Sequence, residues 1–167
     1  STHPITIMLF NKGFQALESY RLGNWLLKRG RKSLALYLQS TISARFGVDI
    51  HPGAQMGLGI LIDHASGIVI GETATVGDDC SILHNVTLGG TGKETGNRHP
   101  KVGRGVLIGA GVSILGNIPI GDFSRITPGS VVLKAVTPYS VVSGVPAKMV
   151  GDVKLDMGSA MPSEEHQ

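Results

Sequence analysis

The feature that most constrains this fold is a six-residue repeat that extends from Val48 to Val131. An aliphatic residue opens each unit, glycine usually follows it, and a small or aliphatic residue stands four positions later. The repeats open at Ile50, Met56, Ile62, Ile70, Val76, Ile82, Val102, Ile108, Ile114, Ile120 and Ile126. Two extra residues, Ile68 and Val69, interrupt the series once. Tandem hexapeptide periodicity predicts a parallel β-helix.

Each unit can supply one short strand and one corner. The aliphatic side chain points inward, and the glycine gives the corner its backbone freedom. The residue four positions later must be small enough to share the core, as at Ala54, Ser66, Ala74, Cys80 and Ser124. One unit cannot bury its apolar side alone, so the coils must stack. We expect a solenoid, and Cys80 should be a buried structural thiol.

Helical spacing precedes the repeat and predicts an N-terminal helical segment over residues 1–47. Apolar residues recur at intervals of three and four from Phe14, and Gly30 is a suitable end for this helix. A second helix, from Lys32 to Phe46, is predicted to carry an apolar face of Leu34, Leu38, Ile42 and Phe46. The two helices should form a hairpin that caps the first coil, because an uncapped coil exposes strand edges.

The repeat region predicts a β-helix domain over residues 48–151 with one protruding loop. Residues 89–101 are rich in glycine and polar groups, so we expect them to protrude as a loop. Loops on a rigid scaffold often carry function. Residues 152–167 have no periodicity and are predicted to form a flexible tail.

Composition excludes several classes of function. The net charge is +3, and no Lys/Arg block with interleaved aromatics indicates a nucleic-acid partner. A mild positive charge suits an anionic small-molecule substrate. No signal peptide or bilayer-length apolar run is present, so we expect no membrane association and, by default, a cytoplasmic location.

Two acidic residues and a histidine suggest general-base chemistry. Asp49 precedes His64 by less than one triangular coil, which takes about 18 residues, so the two should lie on adjacent rungs of one side. A nearby carboxylate fixes the imidazole tautomer and stabilises the imidazolium, which favours a general base. The alternative is that Asp63 and His64 form a surface pair with no catalytic role.

The other histidines have different interpretations. His51 precedes a proline and is interpreted as a turn residue, and His84 as a hydrogen-bonded residue of the solenoid. His99 ends the loop beside Arg98, whose cation could bind a carboxylate or phosphate. One class of hexapeptide-repeat enzymes binds zinc through three histidines that include a His-x4-His pair. The spacings here give no such pair, so no metal is expected.

Four segments resemble the serine acetyltransferase family within the hexapeptide-repeat acyltransferases. They are Val48-Asp-Ile-His-Pro-Gly-Ala, Ile62-Asp-His-Ala-Ser-Gly-Ile-Val-Ile-Gly-Glu-Thr, Asn85-Val-Thr-Leu-Gly-Gly-Thr-Gly-Lys and Arg98-His-Pro-Lys. The resemblance implies a left-handed β-helix, a homotrimer, and acetyl-CoA as cosubstrate with no other cofactor. It also implies transfer of the acetyl group to the hydroxyl of L-serine, which gives O-acetyl-L-serine and CoA in cysteine biosynthesis.

The resemblance also assigns the residues of the acceptor site. His64 matches the general base of the family, and Asp49 matches its partner. Asp63, Arg98 and His99 match positions that hold the amino-acid substrate, with Arg98 suited to its carboxylate. The resemblance implies that this site lies between neighbouring subunits.

The resemblance places CoA along the second half of the solenoid. Ala110 matches a backbone contact, and Arg125 and Lys148 match basic positions near the phosphates. The family usually has Gly-Ala where this chain has Thr127-Pro128. Pro128 has no N–H, so only its carbonyl could contact the pantetheine arm.

Both ends of the chain differ from the family pattern. The family has a longer N-terminal helical domain that joins two trimers into a hexamer, so we expect a trimer here. Its C-terminal tail often ends in Ile and docks into O-acetylserine sulfhydrylase. This chain ends in Glu165-His166-Gln167, so docking by that route is not expected. Cysteine resembles serine, and we expect it to be a feedback inhibitor.

Two other functions compete with this interpretation. The first is a hexapeptide acetyltransferase for a different small hydroxyl or amine acceptor, such as a sugar or homoserine. The second is a non-catalytic scaffold for the sulfhydrylase. The set of Asp49, Asp63, Arg98 and His99 favours an amino-acid acceptor, and the presence of both Asp49 and His64 argues against a scaffold.

Overall fold

The fold is a left-handed parallel β-helix of about five turns preceded by helices. The repeat predicted the parallel β-helix, the helical spacing predicted the helical segment, and the family resemblance implied the left hand. The computed structural model describes residues 4–6, 11–93 and 95–154. The helices are α1 (Lys12–Lys28) and α2 (Lys32–Phe46). The strands are β1 (Val48–Ile50), β2 (Gln55–Met56), β3 (Leu61–Ile62), β4 (Ile68–Ile70), β5 (Thr75–Val76), β6 (Ser81–Ile82), β7 (Thr87–Gly89), β8 (Lys101–Val102), β9 (Leu107–Ile108), β10 (Ser113–Leu115), β11 (Pro119–Ile120), β12 (Arg125–Ile126), β13 (Val131–Val132), β14 (Ser140–Gly144) and β15 (Ala147–Asp152).

Three parallel sheets form the three faces of the solenoid. Face A consists of β1, β4, β7, β10 and β13, and face B of β2, β5, β8 and β11. Face C consists of β3, β6, β9, β12 and β14, with β15 added antiparallel to β14. Residues that occupy the same place in successive coils therefore form columns along each face and each corner.

The core is a set of such columns filled by the predicted aliphatic residues. On face C the parallel register aligns Ile62, Ile82, Ile108, Ile126 and Val142, all of which are buried. The other repeat-opening residues are buried in the same way on faces A and B. Burial of this aliphatic surface is the main favourable free-energy term for folding.

The predictions of small, inward-facing residues are confirmed with one exception. Ala54, Ala74, Cys80 and Ser124 are fully buried, and Cys80 is a free thiol. The prediction that Ser66 shares the core is wrong, because Ser66 is exposed.

Ala65 is buried in place of Ser66, and the length of the corner explains this. The interval from Ile62 to Ile68 is longer by two than the interval from Ile82 to Val86, which are the equivalent residues of the next coil. The two extra residues lie in this corner and not at positions 68 and 69, which belong to β4.

The helical hairpin covers the first coil through polar and close backbone contacts. Asn24 donates to the carbonyl of Pro52 at 2.8 Å, and Arg21 donates to that of Gly57 at 2.8 Å. The hydroxyl of Tyr20 donates to the carbonyl of Ala54. At Gly13 a Cβ atom would lie 2.1 Å from the carbonyl oxygen of Ile62, so α1 packs directly on face C.

One residue of the predicted α2 face does not pack as expected. Leu34 is 49% exposed, and the buried residue of this turn is Ala35. Leu38 and Ile42 do line the space between α2 and the solenoid. The small side chain of Ala35 allows α1 and α2 to approach closely, whereas leucine at this position would hold them apart.

The last described coil ends in an antiparallel hairpin of β14 and β15. The N–H of Val153 donates to the carbonyl of Tyr139 at 2.7 Å. Of the predicted flexible tail, residues 155–167 lie outside the described residues. In the part of the chain that the structure describes, no helix has the length and apolarity to cross a membrane.

The core columns predict a large cost for truncating Ile108, which is fully buried on β9. Ile108→Ala should lower the free energy of unfolding by about 2–5 kcal/mol, because it removes buried methyl groups and leaves a cavity. Leu58→Ala is the matched control, since Leu58 is 70% exposed. Urea denaturation followed by circular dichroism measures both. Equal costs for the two variants would contradict this description of the core.

Candidate active site

The residues predicted for catalysis and for the acceptor form two clusters along face A, and each cluster also contains one residue that was not predicted, His84 or Glu72. The corner cluster consists of Asp63, His64 and His84, in the corner that leads from face C to face A. The loop cluster consists of Asp49, Glu72, Arg98 and His99, which line one depression. A three-residue strand, roughly 10 Å long, separates the two sides.

In the corner cluster two imidazole rings meet. The rings of His64 and His84 pack edge to face, with centroids 5.8 Å apart and an interplanar angle of 85°. His64 Nε2 also lies 3.8 Å from Asp63 Oδ2, and both side chains are exposed. The corner can therefore present an accessible imidazole next to a carboxylate.

His84 belongs to the corner cluster, and the sequence interpretation did not place it there. It was expected to be a hydrogen-bonded solenoid residue, yet its Nδ1 is buried without a hydrogen-bond partner among the described residues. The signal was present in the spacing. Leu61 pairs with Ser81 on the next coil, and His84 follows His64 at the same interval, so the two histidines are stacked.

The backbone at His64 adopts a conformation that L-residues rarely use. His64 has a φ of 59° and Ala65 a φ of 57°, both in the left-handed region. In the corners of the later coils, positive φ occurs one position further along, at Asn85, Gly111 and Gly129. A non-glycine residue held in this region costs free energy, and such residues concentrate at functional sites.

The structure does not bring Asp49 and His64 together within one chain. Asp49 lies in the middle of β1, opposite Val69, and its Oδ1 accepts a hydrogen bond from Gln39 Nε2 at 2.6 Å. Among the described residues, His64 forms its ion pair with Asp63 and none with Asp49. Because the residue one full coil after Asp49 is Val69, His64 lies in the corner before β4 and not on the strand itself.

The loop cluster is formed where the interruption of the repeat returns to the solenoid. Residues 91–93 and 95–97 are exposed, whereas Arg98 is half-buried and His99 is only 7% exposed. The imidazole of His99 lies against Gly71, where a Cβ atom would come within 2.1 Å of Cδ2 and Nε2. Only glycine at position 71 leaves room for this ring.

The hydrogen bonds and charges around His99 define its protonation state. Its Nδ1 accepts a hydrogen bond from the Thr73 N–H at 3.2 Å, which places the proton of the neutral ring on Nε2. Burial lowers the pKa of His99 most, and the cations of Arg98 and Lys101 lower it further. His99 is therefore a neutral N–H donor at pH 7.

Lys101 ties the end of the loop to the solenoid. Its Nζ donates to Asn97 Oδ1 at 2.6 Å and to the carbonyl of Thr73. Burial lowers the pKa of Lys101. These contacts cross from β8 to the preceding coil and hold the loop terminus in place.

Two of the residues matched to CoA contacts continue the column of the corner cluster. The N–H of Gly111 donates to the carbonyl of His84 at 3.0 Å, and the N–H of Gly129 donates to that of Ala110 at 2.8 Å. Pro128 therefore stacks one coil beyond Ala110, in line with the two histidines. Arg125 is exposed on β12 of face C, and Lys148 is exposed on β15, where it pairs with Ser143.

His51 lies in the first turn after β1. His51 Nδ1 accepts a hydrogen bond from the N–H of Gly53 at 2.9 Å, as expected for a turn residue. Within residues 4–6, 11–93 and 95–154, no group of three or more His, Cys, Asp or Glu side chains could hold a metal ion.

Comparison with known proteins finds close sequence similarity to an acyltransferase. The chain is similar to serine acetyltransferase of Salmonella typhimurium (strain LT2), with 54% identity over 161 residues. The alignment covers 96% of this chain and 59% of the relative. No protein-family model matches the chain.

The chain is also similar to solved structures of serine acetyltransferases with bound ligands. Serine acetyltransferase in complex with coenzyme A from Brucella abortus strain S19 matches with a TM-score of 0.90 and 54% identity, covering 92% of this chain and 62% of that one. Soybean serine acetyltransferase complexed with serine matches at 0.85 and 54%, covering 87% and 60%. A serine acetyltransferase complex with cysteine matches at 0.86 and 56%, covering 88% and 57%. The chain spans less than two thirds of each.

The surroundings of His99 predict the direction in which its pKa is shifted. Its pKa should lie below the ordinary histidine value of about 6.5. The unfolded chain then binds the His99 proton more tightly than the folded chain does. His99 therefore contributes stability at pH values above its pKa in the unfolded chain, and this stability is lost as the pH falls through its pKa in the folded chain. NMR titration of the His99 ring measures the pKa, with the same signal in urea as the control. A folded value at or above the urea value would contradict the geometry.

Proposed function

Because this chain is homologous to the serine acetyltransferases over 96% of its length, we propose that it transfers an acetyl group from acetyl-CoA to the hydroxyl of L-serine. The products are O-acetyl-L-serine, a precursor in cysteine biosynthesis, and CoA. One observation carries this proposal. A single corner column runs from His64 and His84 to Ala110 and Pro128, and so joins the base to the positions matched to CoA contacts.

In this reaction His64 acts as the general base. A neutral serine hydroxyl is a weak nucleophile, so His64 takes its proton while the oxygen attacks the thioester carbonyl. The tetrahedral intermediate collapses, the C–S bond breaks, and CoA leaves as the thiolate, which receives the proton held by His64. The edge-to-face contact with His84 restricts the orientation of the His64 ring.

The acceptor site combines the corner cluster of one chain with the loop cluster of a neighbouring chain. Arg98 binds the serine carboxylate, and the neutral His99 donates a hydrogen bond from Nε2. Asp63, beside His64, attracts the serine ammonium group. Asp49 of the neighbouring chain would then orient His64, which it does not reach within its own chain.

A homotrimer accounts for this arrangement and for the outer surface of the solenoid. Leu61 and Leu107 on face C and Val69 on face A point outward and are substantially exposed. Aliphatic side chains exposed together on a rigid sheet are a typical subunit interface. Threefold symmetry would bring each corner cluster against a loop cluster and build three equal sites.

The donor occupies the corner column and the basic residues near it. The backbone at Ala110 and the carbonyl of Pro128 contact the pantetheine arm. The side chains of Arg125 and Lys148, both exposed, neutralise the CoA phosphates. Cysteine has the same carboxylate and ammonium groups as serine, so it competes for the acceptor site as a feedback inhibitor.

The test of the base is the release of CoA thiol from acetyl-CoA in the presence of L-serine. His64→Ala should lower kcat by about 10²–10⁴-fold, the usual contribution of a general base, and leave the assembly size unchanged. Ser66→Ala, in the same exposed corner, is the matched control. Cysteine should raise the KM for serine without changing kcat.

Three results would contradict this function. Serine-dependent release that survives in His64→Ala would exclude His64 as the base. Faster release with homoserine or a galactoside than with serine would indicate a different acceptor. No release from the unchanged chain would favour a scaffold, provided that circular dichroism shows it to be folded.

The two-chain site predicts complementation between inactive variants. His64→Ala and Arg98→Ala should each have little activity, but co-refolding them in equal amounts should restore about a quarter of the normal activity, because a quarter of the interfaces pair two intact clusters. Mixing without unfolding is the control. No recovery on co-refolding, with mixed trimers shown by mass spectrometry, would place both residues in one chain's site.

A further inference from the structure

Thr73 is linked to Arg98 and His99 of the loop cluster by several hydrogen bonds. Its hydroxyl oxygen accepts hydrogen bonds from the N–H groups of Arg98 at 3.1 Å and His99 at 3.2 Å. The same oxygen lies 2.8 Å from His99 Nδ1, and the Thr73 N–H also donates to that nitrogen. Its carbonyl accepts from Lys101 Nζ.

The direction of these hydrogen bonds follows from the chemistry of the groups. Two backbone N–H groups already donate to the Thr73 hydroxyl oxygen, so its own hydrogen is free to point to His99 Nδ1. Nδ1 then accepts two hydrogen bonds and carries no proton. The proton of the ring must be on Nε2, which lies over Gly71 in the depression.

We propose that Thr73 is a positioning residue for the acceptor site, which fixes the Nε2–H tautomer of His99 and holds the backbone of Arg98 in its binding position. The residue acts through its neighbours, since its hydroxyl is fully engaged by them. This inference rests on the proposed function only for its kinetic consequence, because the tautomer and the backbone contacts exist without substrate.

The position of Thr73 explains why such an anchor is needed. On face B, Thr75 pairs with Lys101, and Lys101 pairs with Pro119. The coil from Thr75 to Lys101 is therefore longer than the coil from Lys101 to Pro119. Its additional residues form the exposed loop, and the flanking strands fix only the ends of that loop. The side chain of Thr73, from the preceding coil, therefore acts together with Lys101 to hold the last residues of the loop where they return.

Four charged or titratable groups face His99 besides Thr73. Arg98 and Lys101 disfavour its protonation, as does His51, whereas Glu72 favours it. Burial is the largest cause of the lowered pKa of His99. Removing the Thr73 hydroxyl leaves these charges in place, so a change in the His99 tautomer would report on the hydroxyl itself.

The test compares Thr73→Val, which keeps the shape and removes the hydroxyl, with Thr73→Ser, which keeps the hydroxyl. Thr75→Val is the matched control on the outer surface of β5. Nitrogen-15 NMR of the His99 ring reports the tautomer, and amide hydrogen exchange reports the Arg98 and His99 N–H groups. Thr73→Ala replaces the valine variant should that variant not fold.

The valine variant keeps the backbone N–H that donates to His99 Nδ1 but loses the hydroxyl, so it should show less Nε2–H tautomer than the unchanged chain and faster exchange at both amides. It should raise the KM for serine about tenfold, the effect of losing roughly one good hydrogen bond, with little change in kcat or in the KM for acetyl-CoA. Thr73→Ser and Thr75→Val should resemble the unchanged chain in every measurement.

Two results would overturn the proposal. One is an unchanged His99 tautomer and unchanged amide exchange in Thr73→Val. The other is an equal defect in Thr73→Ser, which would assign the effect to packing. If the unchanged chain releases no CoA with serine, the proposed function fails, and the NMR measurements alone decide the role of Thr73.

Discussion

Parallel register is the constraint on which the rest of this molecule depends. Because each coil returns to the same three faces, residues far apart in sequence stack directly on one another. Aliphatic residues use this stacking to fill the interior, as in the column from Ile62 to Val142. The same stacking places His84 beneath His64 and Ala110 beneath His84. One geometric rule thus produces both the core and the line of groups along the corner.

The candidate chemistry is located where the regular repeat is broken. Two extra residues lengthen the first corner and turn His64 outward with a positive φ. The additional residues of the long coil between Thr75 and Lys101 deliver Arg98 and His99 to the depression beside Asp49. Departures from local regularity are expected at functional sites, where function compensates for lost stability.

Periodicity predicted the fold, the inward positions and the helical cap because each depends on residues close in sequence. It did not predict that Ala65 is buried rather than Ser66, which depends on the length of the corner. It also did not predict that Ala35 is buried rather than Leu34, which depends on how closely the two helices pack. The assumption that every coil has the same length also misplaced Asp49 relative to His64. His84 was missed because its contact is with the neighbouring coil. The local sequence indicated only a cation and a histidine at the end of the loop, and the assignment of Arg98 and His99 to an amino-acid substrate came from the resemblance.

The reversal of direction at β15 has a consequence for how these chains behave in a crowded solution. A parallel solenoid is a natural template, because its last coil presents unpaired backbone groups on which a further coil could assemble. In this chain β15 runs antiparallel to β14, so any strand added beyond it would meet the wrong polarity for the winding. The hairpin therefore closes the edge of face C to a further parallel strand, on the face where the described winding ends.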